Sequence, residues 1–459
     1  MEEKAKKGLI NIVGEENFTD AVIDLVSYSY DASPEHHRPD GAVWVKNRDQ
    51  ISAILKLANE YMIPVIPRGA GTGLSGMAVP KQGGIVLDMA HMNKILEISI
   101  KDRLAVVQPG VVYQDLQNDL APHGFFFPPD PASGSISTLG GNVATNAGGL
   151  KGAKYGTTRD YVLGLEVVLA DGSVLRTGSR CMKCVSGYDL TRLFVGSEGT
   201  LGVITEIILK INPRPRAEAT CLAAFDDISH AGNAITEIMC SGIIPSVLEI
   251  LDDQCILAIN KATDLHLPEV AALVLVETDG YSQEETDLAM DIVVEVFRQN
   301  NAKEITRAAS AEEAEKLWTA RKSLGGVMTL LNNTFIAEDI TVPISKVPDV
   351  LIGVKEISKR YNLLIPTAGH LGDGNLHPCI VYDGTNPDEA ARVKQASADL
   401  FRLGIDLGGT LTGEHGIGLE KAEFMPMEHN AVAMGVMNNL KKLFDPNSIL
   451  NPGKMGLEV

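Results

Sequence analysis

The chain has no apolar run approaching the about 18 residues that a membrane-crossing helix needs, so no transmembrane span is expected. Its opening, Met1-Glu-Glu-Lys-Ala-Lys-Lys7, lacks the apolar stretch of a secretory leader, and a cytoplasmic location is expected. Cysteine is scarce. The six residues 181, 184, 221, 240, 255 and 379 are scattered through 459, which argues against a disulfide framework and lacks the spacing of an iron–sulfur site. Cys181-Met-Lys-Cys184 has the spacing of a redox pair. Gly178-Ser179 and Val185-Ser186-Gly187 flank it instead of a βαβ pattern, and two ordinary thiols is the better reading. Basic charge is also short: 40 Lys and Arg stand against 59 Asp and Glu, a net of −19. Such a surface repels phosphate backbones and anionic membranes. No internal repeat and no low-complexity segment is visible.

The charge deficit is uneven. Residues 218–318 hold 20 acidic and 5 basic side chains, whereas residues 61–160 hold 7 and 8. An anionic guest therefore fits the earlier region better. At roughly 150 residues per domain, the length suggests two or three domains. Amphipathic helices are expected over 15–26 and 48–61, the latter from Ile51, Ile54, Leu55 and Ala58. Short apolar runs at 63–66, 84–87, 104–107, 163–169 and 202–209 read as strands between turn residues. Ile211-Asn-Pro-Arg-Pro-Arg216 is the best boundary, because two prolines interrupt regular structure there. Beyond it, helices over 228–241, 282–300, 311–331, 346–361 and 386–404 alternate with strands such as 271–277. The runs suit an α+β or α/β domain; the class expected is α+β, with an α/β second domain whose antiparallel sheet is covered by helices. The division is 1–213, 214–430 and a C-terminal helix and tail over 431–459 that returns to the first domain.

Pro67-Arg-Gly-Ala-Gly-Thr-Gly-Leu-Ser-Gly76 contains a literal G-x-G-x-x-G. A dinucleotide fold would need a helix directly after it, and Pro80 and Gly83-Gly84 disfavour one. Consecutive glycines still let backbone N–H groups converge on an anion such as a pyrophosphate, with Arg68, Thr72 and Ser75 adding donors. A tight surface turn is the alternative. Two further stretches count against it: Ser137-Thr-Leu-Gly-Gly-Asn-Val-Ala-Thr-Asn-Ala-Gly-Gly149 and Gly196-Ser-Glu-Gly-Thr-Leu-Gly202. Together they suit a large extended cofactor with phosphates at one end and rings at the other.

These three stretches, in this order, resemble the FAD-binding domain of the vanillyl-alcohol oxidase superfamily, the PCMH type. The resemblance implies that residues 1–213 bind FAD. It assigns cofactor contacts to Pro67, Arg68, Gly69, Ala70, Gly71, Thr72, Gly73 and Ser75 in the first stretch. It adds Pro131, Thr138, Gly141, Asn142, Thr145, Asn146 and Gly148, then Glu198, Gly202, Ile204 and Asn451. Thr72 stands where some relatives carry a flavin-linked histidine, which implies non-covalent FAD.

Two histidines lie in Thr367-Ala-Gly-His-Leu-Gly-Asp-Gly-Asn-Leu-His377, read as strand, turn, strand. A two-residue turn at Asp373-Gly374 would set His370 directly across from His377. Two close imidazoles make half a metal site, and Glu414 of Gly413-Glu-His-Gly416 could add a carboxylate while His415 acts as a base. Spacing alone leaves open two polar hairpin histidines unrelated to a loop Glu-His. Both segments resemble the C-terminal halves of D-lactate dehydrogenases, glycolate oxidase flavin subunits and D-2-hydroxyglutarate dehydrogenases. That resemblance implies a divalent metal (zinc, iron(II) or manganese) on His370, His377 and Glu414. It makes His415 the catalytic base and Arg321 the carboxylate anchor. Acids around Phe335–Thr341, with no lysine among them, and Cys379 in place of an amide favour a monocarboxylate. Asp339 is a candidate metal-linked group. The expectation is oxidation of a D-2-hydroxy acid, D-lactate first, with glycolate or 2-hydroxyglutarate as alternatives. Electrons would pass to a partner, an electron-transfer flavoprotein or an iron–sulfur subunit.

Overall fold

The computed structural model describes residues 1–457. The chain divides into two compact units. One comprises Met1–Gly148, Thr157–Arg214 and the segment from Glu414 onward; the other comprises Gly149–Gly156 and Pro215–Gly413.

The first unit carries a four-stranded sheet in the order Phe18–Thr19, Gly41–Trp44, Ile85–Asp88, Val65–Arg68, the last three parallel. The helix Arg48–Tyr61 makes the crossover between two of the parallel strands, as such connections require. Asn47 caps it by accepting the N–H of Gln50 at 3.0 Å. Ile51, Ile54, Leu55 and Ala58 recur at helical spacing and are buried against Leu9, Val43, Ile85 and Leu87. Each large side chain so buried contributes about 1.5–3 kcal/mol. An antiparallel five-stranded sheet follows, in the order Ile95–Ser99, Leu104–Val107, Val203–Lys210, Val162–Val168, Val174–Gly178.

The expected helix over 15–26 is not formed as such. Residues 15–17 make a 3-10 turn, Phe18–Thr19 a short strand, and Val22–Ser27 a short helix whose Val22, Ile23 and Val26 are exposed. The long N-terminal helix is Glu3–Val13, which buries Ala5, Leu9 and Val13 along one face. Its lysine-rich character conceals that stripe in the sequence.

The tail completes the first unit. Val65 donates to the carbonyl of Ile449 at 2.7 Å and Asn451 N–H to that of Val65 at 2.9 Å, so the tail runs beside the strand Val65–Arg68. Lys441, in the helix Ala431–Phe444, is buried. Its ammonium donates to the carbonyls of Thr200 and Leu450 and pairs with Asp445.

The second unit is an antiparallel sheet, α+β as expected. Its order is Glu304–Arg307, Ala217–Phe225, Ala272–Gly280, Val247–Asp252, Thr367–His370, Asn375–Tyr382, Thr334–Ala337, with Ile340–Thr341 also on Asn375–Tyr382. Helices Ile228–Cys240, Gln283–Gln299, Ala311–Leu331, Val347–Tyr361 and Pro387–Asp406 lie close to their expected spans. Asp227, Ser282, Ser310 and Asn386 cap four of them through side-chain oxygens.

The histidine hairpin departs from its expected register. His370 pairs with Asn375, and His377 with Ala368. The turn therefore spans Leu371–Gly374 rather than two residues. Gly374 has φ +81° and lies so close to the Val342 carbonyl that a Cβ would sit 2.0 Å from its oxygen. The shift is two residues, and side chains alternate with period two, so both histidines stay on one face.

Candidate functional site

The three glycine-rich stretches meet in the first unit around one cavity of about 430 Å³. After Gly76 the chain runs without a helix to the strand Ile85–Asp88, unlike a dinucleotide fold. The second stretch does contain a helix that composition had hidden. Thr138 caps Leu139–Thr145, with Gly69 pressed so close that a Cβ there would meet the Thr138 hydroxyl at 2.2 Å.

Pro67, Gly69, Ala70, Gly71, Thr72 and Gly73 line the cavity, as do Pro131, Thr138, Gly141, Asn142, Thr145 and Gly148. Glu198, Gly202 and Ile204 line it from the third stretch. Arg68 also borders it, but its guanidinium donates to the carbonyl of Tyr30 at 2.8 Å and braces the loop. Burial lowers the Arg68 pKa, with Asp31 and Asp88 opposing the shift. Asn146 ends the helix with φ +56° and accepts from Thr157 Oγ1 and Arg159 N–H, which makes it a turn-former. Ser75 Oγ lies 3.2 and 3.0 Å from the carbonyls of His415 and Gly416. Asn451 donates to the carbonyls of Met77 and Glu198. Both act behind the wall, holding its parts in place.

Glu198 is buried at φ +52° and accepts the N–H groups of Ile417 and Gly418 at 2.7 and 2.8 Å. Burial raises its pKa against those bonds. With Ser75 it fastens the 414–418 segment to the glycine-rich loops, so Glu414 and His415 stand on the wall of the same cavity. A Cβ on Gly148 would lie 2.6 Å from the Glu414 carboxylate. The residues fit a large phosphorylated cofactor such as FAD. The backbone is bare, and the Asn142 amide nitrogen is a buried donor with no protein partner, which a guest would satisfy.

The second unit gathers its own constellation on the sheet. The rings of His370 and His377 are 5.0 Å apart, and a nitrogen of each lies within 4.8 Å of the other. This fits two imidazole ligands of one divalent ion. Arg321 reaches in from the helix Ala311–Leu331 and donates through Nε to Glu249 at 2.6 Å. Glu249 also contacts His370 Nδ1 at 2.5 Å. Burial pushes the Glu249 pKa up, but His370 and Arg321 outweigh it and leave the carboxyl below its usual range.

Asp339 is fully buried. It accepts from Asn375 at 2.5 Å, from Gly413 N–H at 2.9 Å and from the Thr412 hydroxyl, and lies 3.9 Å from His377 Nδ1. Burial pushes the Cys379 thiol up to about 12, so it is protonated at neutral pH and no nucleophile. Cys181 and Cys184 are exposed free thiols. Sequence reasoning missed Glu249; the signal was an acid inside the apolar run Val247-Leu-Glu-Ile-Leu251. Among the described residues no helix is long and apolar enough to cross a membrane.

Comparison with known proteins gives consistent results. Residues 39–178 match the family "FAD binding domain", and residues 214–455 match "FAD linked oxidases, C-terminal domain". Glycolate oxidase subunit GlcD of Bacillus subtilis (strain 168) is 45% identical over 98% of this chain and 96% of its own. The mitochondrial D-lactate dehydrogenase [cytochrome] of Arabidopsis thaliana is 34% identical over 91% of this chain and 73% of its own. The structure of p-cresol methylhydroxylase with substrate bound superposes with a TM-score of 0.82 over 99% of this chain and 96% of that one. At 22% identity that likeness shows the fold alone.

Proposed function

We propose, since this chain belongs to the FAD-linked oxidases, that its preferred substrate is a short 2-hydroxy monocarboxylate, glycolate first. The chain is an FAD-linked oxidoreductase acting on 2-hydroxy acids. The sequence alone put D-lactate ahead. The order is reversed because the relative named for glycolate is the more similar of the two, and D-lactate becomes the second reading.

The observation that carries the reading is His415 on the wall of the cavity that the three glycine-rich stretches enclose. FAD, when bound, supplies the hydride acceptor. A divalent metal held by His370 and His377, with Glu414 as the carboxylate named by family resemblance, supplies Lewis acidity toward the substrate hydroxyl. Arg321 grips the substrate carboxylate, for which a planar guanidinium is suited. His415 takes the hydroxyl proton, a role that an imidazole fills near neutral pH. Thr72 in the loop offers no histidine for covalent attachment, so FAD is held non-covalently. A relative named as a subunit supports a partner chain as electron acceptor, either an electron-transfer flavoprotein or an iron–sulfur subunit.

The test is anaerobic mixing of the FAD-loaded protein with glycolate, D-lactate, L-lactate and 2-hydroxyglutarate, following the flavin absorbance. Glycolate should bleach it fastest. Bleaching by 2-hydroxyglutarate alone, or by none, overturns the substrate class. His415→Ala should retain FAD and lose about 10²- to 10⁴-fold in kcat; turnover near wild type would remove His415 as the base.

A further inference from the structure

The proposed chemistry gives no part to Glu249, a buried carboxylate of the second unit. Glu249 lies in the strand Val247–Asp252, and the ladder places it directly opposite His370. Cross-strand partners have their Cβ atoms about 5 Å apart, so the carboxylate and the imidazole meet without strain. Arg321 approaches the same carboxylate from the helix Ala311–Leu331. Glu249 is 1% exposed, and each oxygen has its own partner: Oε1 faces His370 Nδ1 at 2.5 Å, Oε2 faces Arg321 Nε at 2.6 Å.

We propose that Glu249 is a positioning residue that sets the His370 tautomer for metal binding and, with its other oxygen, fixes the Arg321 guanidinium plane. The inference rests on the metal reading given above. An imidazole with Nδ1 against a carboxylate oxygen donates its proton there and keeps a lone pair on Nε2. Carboxylate partners of this kind orient metal-binding histidines and raise their basicity. A carboxylate shared with the substrate anchor ties the orientation of the anchor to that of the ligand. Glu249 is not among the residues that line the flavin cavity, so FAD loading is read separately from metal binding.

The experiment measures Zn²⁺ affinity of the FAD-loaded protein by competition with a chromophoric chelator. Glu249→Gln should weaken zinc binding roughly 10- to 100-fold while bound FAD per chain stays at the wild-type level. At saturating zinc its KM for glycolate should rise about tenfold, with a smaller change in kcat. Equal zinc affinity in wild type and folded Glu249→Gln overturns the inference alone. A wild type that takes up no stoichiometric zinc overturns the metal reading together with it. Should Glu249→Gln not fold, the tautomer decides. Zinc-loaded wild type with ¹⁵N-labelled histidine, His370 assigned through His370→Asn, should show a protonated Nδ1. A protonated Nε2 overturns the proposal.

Discussion

Asp252 caps the helix Asp253–Ala262 from a fully buried position, accepting the N–H of Cys255 at 2.9 Å. Burial raises its pKa to about 6 from an ordinary 3.8, with the backbone bonds from Cys255 and Thr367 opposing. Between those values the folded protein holds a proton that the unfolded chain has lost, so stability falls as pH rises through the window. About two pH units correspond to roughly 3 kcal/mol at neutral pH. The melting temperature of Asp252→Asn minus that of wild type should therefore climb between pH 4 and pH 7; a flat difference would refute this. Residues of this kind are hard to read from sequence. Asp252 and Glu249 stand in an acid-rich stretch that masks the apolar run around Glu249, and only burial gives them their roles. That His415 and the glycines border one cavity was legible because their neighbours carry the pattern, whereas the reading of Arg321 as an anchor rests on resemblance.

The helix Ala431–Phe444 and the tail after it are held by one buried ion pair. Lys441 binds Asp445 and two carbonyls, one of them on Leu450. Lys441→Met would leave the Asp445 carboxylate buried without its cation, which costs about 3–5 kcal/mol. The denaturation midpoint should drop accordingly, and Asp445→Asn added to it should recover part of the loss. A single variant within 1 kcal/mol of wild type, by the ~0.5 kcal/mol scatter of ordinary surface changes, would show the pair to be dispensable. Elements with strong periodicity and caps were legible: 48–61 and 311–331 begin and end where the pattern does. The hairpin register was not, because Gly374 serves a close approach to Val342 rather than the centre of a two-residue turn. The helix Leu139–Thr145 was hidden by its glycines, which weaken the propensity signal while its Thr138 cap and buried Leu139 and Val143 hold it.

At the scale of the molecule, charge dominates. A net of −19 repels anionic oxidants and attracts cationic ones, within the reach of a Debye length. Reoxidation of the reduced flavin by ferricyanide should therefore accelerate as salt is added. Reoxidation by a cationic acceptor should slow, while flavin reduction by substrate changes little in comparison. Identical salt responses for both acceptors would show that the field does not act at the exit of the electrons. The α+β class followed from the strand runs, and one change of unit falls at Arg214, inside the Pro-Arg-Pro-Arg segment. The separate piece 149–156 was not legible, because Gly149, Gly152 and Gly156 read as a continuation of the glycine-rich stretch before it despite Lys151 and Lys154. That piece has a consequence for how the gene can be divided. The backbone changes unit after residues 148, 156, 214 and 413, so no single cut yields both units whole. Cleavage at 214 leaves one fragment carrying eight residues of the other's unit and lacking the segment from 414 on. Halves made separately should be inactive, and halves made together should regain activity only by reassembling both units from shared parts.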